Sequence, residues 1–82
     1  MKNKQKQTEY KTDNMVLASY LFSCLHMIKR VEPSPEFAGK YFFVFEQSLA
    51  LVDLITQFHS QTAMVLPQNY YRAVREVKRM LI

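Results

Sequence analysis

Eighty-two residues are enough for one domain and sit near the lower limit at which a single core suffices; the 49% hydrophobic and 13% aromatic content supplies that core. The single cysteine, Cys24, excludes an internal disulfide and a disulfide-stapled secreted scaffold, so a cytoplasmic setting is expected. The net charge of +4 is concentrated at the two ends. Lys2, Lys4, Lys6 and Lys11 face only Glu9, and Arg72, Arg75, Lys78 and Arg79 face only Glu76. Such ends attract nucleic acid or anionic surfaces, and they also serve plain solubility.

Residues 1–7, "MKNKQKQ", are polar without apolar periodicity and read as a disordered basic tail, leaving 8–82 as the domain. "TEYKT", 8–12, reads as a short edge strand or an extended lead-in. Asp13 or Asn14 can cap the first helix with a side-chain oxygen. That helix, "MVLASYLFSCLHM", is apolar nearly all round, with Ser19 and Ser23 as a small polar edge. A helix of that kind is buried on most faces, so it is central to the fold or faces a second subunit. Its apolar run, Met15–Ile28, is fourteen residues long, whereas a bilayer span needs about 20. "LFSC" at 21–24 looks like a lipoprotein cleavage box, but Phe22 is too bulky for one and Asp13 spoils the basic leader; neither export nor membrane association is expected.

A strand over 27–32 and a loop holding Pro33 and Pro35 come next, then "KYFFVFE", 40–46, the clearest strand in the chain. The two strands form an antiparallel hairpin. "SLALVDLITQFHS", 48–60, carries Leu51, Leu54, Ile55 and Phe58 on one helical face, capped by Ser48 or Gln47. "TAMVL", 62–66, is extended or a short strand. Pro67 then opens a last helix over 67–81, with Tyr70, Val74, Val77 and Leu81 as its buried stripe. The expectation is a small single α+β domain, in the order β-α-β-β-α-α, whose antiparallel hairpin is packed by helices.

The order of these signals resembles an uncharacterised family of short domains of unknown function from bacteria, archaea and phages. The resemblance rests on Asp13 with the apolar run Leu17–Leu21, on the strand exit Phe43–Glu46, and on Pro67 with Ala73, Lys78 and Leu81. It spans roughly residues 9–82. It implies a single α+β domain and no particular activity. The family commonly places a glycine after the first helix, where this chain has His26–Met27, so the helix is expected to end differently here.

Catalytic machinery is not visible. There is no nucleophile–base spacing, no glycine-rich phosphate loop and no metal-ligand cluster. Cys24, His26 and His59 would leave zinc short of a fourth ligand. Cys24 reads as a small core residue, and His26 and His59 as residues near helix ends. Asp53 lies off the apolar face of its helix, and Glu46 complements the helix dipole; neither needs a catalytic role. Neither a cofactor nor an enzymatic activity is expected.

Two binding readings remain. Arg72, Arg75 and Arg79 fall at i, i+3 and i+7 with Lys78 beside them, making one basic helix face. The helix dipole favours cations in the last turn, but not at Arg72 near the start. A nucleic-acid interface through phosphates is therefore the leading reading. The alternative is a protein–protein adaptor or inhibitor that uses an aromatic surface. The aromatic strand itself contains only Lys40 as a base and reads as core or interface rather than a stacking platform. Both of its faces are apolar, Tyr41, Phe43 and Phe45 on one and Phe42 and Val44 on the other. Both should be covered, which points to a homodimer with Tyr20 or Phe22 and one of Tyr41, Phe43 and Phe45 in the interface.

Overall fold

The computed structural model describes residues 8–81, so the expected tail at 1–7 lies outside the described residues. The order is β1 (Glu9–Thr12), α1 (Met15–Ser23), β2 (Ile28–Pro33), β3 (Tyr41–Glu46), α2 (Leu49–His59) and α3 (Pro67–Arg79). This is the expected small α+β domain. The strands form one antiparallel sheet in the order β1-β3-β2, with the aromatic strand β3 at its centre. The hairpin of β2 and β3 closes where the Ser34 N–H donates to the Lys40 carbonyl at 2.8 Å. Gly39 supplies the positive φ of 84° in that connection, a conformation glycine adopts without steric cost.

Helix α1 starts where Asn14 Oδ1 accepts from the Val16 and Leu17 amides at 3.0 and 3.2 Å. Five consecutive residues, Leu17–Leu21, are buried. A helix buried all round must be enclosed, and α1 meets α3, α2 and β1. Ser19, read as part of a polar edge, is fully buried, and its Oγ has no hydrogen-bond partner among the described residues. Phe43, Phe45, Leu51 and Val77 join Leu17, Ala18, Tyr20 and Leu21 in one core.

Helix α1 ends at Ser23, four residues short of the expected end. The Leu25 N–H donates to the Phe22 carbonyl at 3.0 Å and the His26 N–H to the Leu21 carbonyl at 3.1 Å. This pair of reversed bonds satisfies the orphan carbonyls of the last turn, and it places Leu25 in the left-handed region at φ 71°. Helix α2 stops the same way. The Gln61 N–H donates to the Phe58 carbonyl, the Thr62 N–H donates to the Gln57 carbonyl, and Gln61 sits at φ 64°. Neither stop uses the glycine that this geometry favours.

On the outer face of β3 the chain itself covers Val44, while Phe42 is half-buried. Val44 is 0% exposed although it points away from the core cluster. Its direct cross-strand neighbours are Lys11 and Arg30. Arg30 holds both Glu9 carboxylate oxygens at 2.8 and 3.0 Å and also bonds Glu32 at 2.6 Å. Lys11 reaches Glu32 at 3.1 Å, and Lys29 reaches Glu9 at 2.9 Å and Glu46 at 3.3 Å. Long charged side chains of this kind lay their aliphatic stems on apolar surface while their heads pair in water, and Lys11 and Arg30 flank Val44 on either side. One chain thus buries both faces of β3 at Val44 by itself.

Candidate nucleic-acid interface

Helix α3 follows from its spacing. Pro67 opens it, and Leu66 before it offers no side-chain cap. Val77 is buried and Tyr70 and Leu81 pack against the core as expected, but Ala73 is buried in place of the expected Val74, which is only half-buried; this stripe seats the helix on α1. The opposite side is wet. Arg72, Arg75, Lys78 and Arg79 are all exposed, as the basic-face reading expects. At about 1.5 Å per residue, Arg72 to Arg79 spans about 10 Å along the axis.

The electrostatics of this face differ from those of the sheet. On the sheet, Lys11, Lys29 and Arg30 pair with Glu9, Glu32 and Glu46, so its charges cancel. The pairing holds the Glu9 carboxyl down to about 2, chiefly through the Arg30 hydrogen bonds and then Lys29. Arg30, and then Lys11, lower Glu32 in the same way, and Lys29 is raised by Glu9 and then Glu46. On α3, Arg79 has a carboxylate partner, Glu76 at 3.3 Å. Arg72, Arg75 and Lys78 have no ion pair among the described residues. Pairs as exposed as Arg79–Glu76 bind weakly and yield readily to a competing anion.

Two further residues belong to this face and are absent from the expected set. The Arg75 guanidinium lies 5.7 Å from the centre of the Tyr71 ring, and Tyr71 is 63% exposed. Tyr71, Arg72 and Arg75 line a surface depression of about 410 Å³ together with Pro67 and Gln68. The signal was present in the spacing, because Tyr71 stands four residues before Arg75 and Gln68 four before Arg72. A second depression, of about 260 Å³, runs between α3 and the end of α1 and is lined by Phe22, Leu25, Asn69, Arg72, Ala73 and Glu76, with Ser23.

The residues expected at an interface divide. Tyr20, Phe43 and Phe45 are 3%, 2% and 0% exposed, so they belong to the chain's own core and offer no surface to a partner. Helix packing on the inner face of β3 removes them. Phe22 remains half-buried beside Arg72, and Tyr41 is partly exposed. Exposed apolar side chains lie elsewhere, on α2 at Leu49 and Val52 and in the connection at Met64 and Leu66. No group of three or more His, Cys, Asp or Glu that could hold a metal occurs among the described residues, and no described helix is long and apolar enough to cross a membrane.

Comparison with curated proteins and with solved structures returns no match. A family model does match, over residues 7–82, and it carries no assigned activity. The chain belongs to DUF5659, a family of domains of unknown function.

Proposed function

We propose that this chain is a non-enzymatic binding module of the cytoplasm that holds nucleic-acid phosphates on α3. The observation that carries the reading is the contrast in pairing. The sheet's bases are neutralised by its own acids, while Arg72, Arg75 and Lys78 are left without carboxylates among the described residues. Unpaired cations in a row release counterions from a polyanion on contact, which gives affinity without sequence preference. The lysines at positions 2, 4 and 6 add to the field in sequence terms. Replacing Arg72, Arg75 and Arg79 together by Ala should weaken binding equally for unrelated sequences. It should also flatten the slope of log K against log salt by about 2–3, at roughly 0.7–0.9 per lost phosphate contact. Absence of binding by the wild type at low salt ends this reading.

A second reading, contact with another protein, is supported by a different surface. Helix α2 buries only Leu51 fully and leaves Leu49 and Val52, at i and i+3, open. A second copy of the chain is the occupant we assign to this face, forming a homodimer about a two-fold axis. The assignment moves the dimer contact from the buried β3 aromatics to α2.

A further inference from the structure

We infer that the ligand of the α3 face is single-stranded nucleic acid, with one base stacked on Tyr71 while the arginines follow its phosphates. This rests on the phosphate reading above and narrows it to a class of strand. Two features point the same way. Tyr71 is a large aromatic ring left mostly in water within a basic helix face, whereas Tyr70 beside it packs against the core. No other ring packs on Tyr71 among the described residues. Single-strand binders interleave aromatic platforms with cations in this manner, because every base offers a π face and every linkage a phosphate.

The Arg75 guanidinium lies over the ring, 5.7 Å from its centre, a cation–π contact that favours this ring position. A ring already in a favoured position loses less freedom when a base stacks on it. The Gln68 amide shares the depression with the ring and can donate to and accept from a base edge. Arg72 lines this depression and also the one toward Phe22, so a single guanidinium stands between two places a nucleotide can occupy.

The exposed ring favours one strand over two. The arginine row is about 10 Å long, enough to follow a few phosphates of one polynucleotide strand, free or within a duplex. A duplex presents its phosphates in two rows across a groove about 12 Å wide, and it hides its base faces in the stack. A solvent-exposed ring beside a row of cations suits a strand whose base faces are free.

The test compares a short fluorescein-labelled oligothymidylate with a mixed-sequence duplex, by anisotropy over a salt series, for wild type, Tyr71→Ala and Tyr71→Phe. Tyr71→Ala should weaken oligothymidylate binding about 5- to 150-fold while leaving its salt slope unchanged and duplex binding within about twofold. Tyr71→Phe, which keeps the ring, should bind like wild type. Equal losses on both ligands, no loss for Tyr71→Ala, or a Tyr71→Phe protein as weak as Tyr71→Ala would each overturn the stacking role. If wild type still binds both ligands with a steep salt slope in those cases, the phosphate reading survives alone. If wild type binds neither, both readings fall.

Discussion

Leu25 offers a direct test of how α1 is terminated. It occupies the left-handed region at φ 71°, forced there by the two reversed hydrogen bonds that close the helix. A non-glycine residue in that region costs roughly 1–2 kcal/mol, because Cβ crowds the following carbonyl. The side chain recovers little by packing, since Leu25 is 89% exposed. Leu25→Gly removes the crowding, and the more flexible unfolded chain takes back about 0.4–1 kcal/mol. The net expectation is a gain of about 0.5–1 kcal/mol, or about 2–8 °C in Tm for a domain of this size. Thermal melts followed by circular dichroism at fixed protein concentration read this out. Leu25→Ala is the control, because it keeps the Cβ and should show no gain. A Leu25→Gly protein that melts at or below wild type, or level with Leu25→Ala, would refute the reasoning. The same substitution at Gln61, φ 64°, repeats the test at the end of α2.

Acid should weaken the sheet's ion-pair lattice in a defined window. The folded Glu9 carboxyl sits at about 2 against an ordinary 4.5, so its contribution is complete above 4.5 and drains away as pH falls toward 2. Glu9→Gln should therefore narrow the drop in Tm across that window, and a drop as steep as that of wild type would show that the lattice does not couple to stability. Light scattering at micromolar concentration should return about twice the 9.7 kDa chain mass, and Leu49→Lys with Val52→Glu should reduce it to one chain; a wild-type monomer mass removes the dimer.

Much of the architecture is written locally. The aromatic and β-branched density of 41–46, the i, i+3, i+4 pattern of α2 and the proline at the head of α3 each specify an element through its own backbone preferences. The basic row Arg72, Arg75, Arg79 is likewise a consequence of helical period, legible before any coordinates. Non-local pairing decided the rest. Glu9 and Arg30 stand 21 residues apart, and they meet because β1 and β2 flank β3 on either side with Val44 between Lys11 and Arg30. Periodicity reports which strand residues share a face. It does not report that charged stems will roof an apolar one, and so the hidden face of Val44 looked like an invitation to a second subunit. Tyr70 and Tyr71 are chemically identical neighbours. The helical period already set Tyr70 on the apolar stripe and Tyr71 off it; docking of α3 onto α1 decided that Ala73 is buried while Val74 is only half-buried, and set the Tyr71 ring in water beside Arg75.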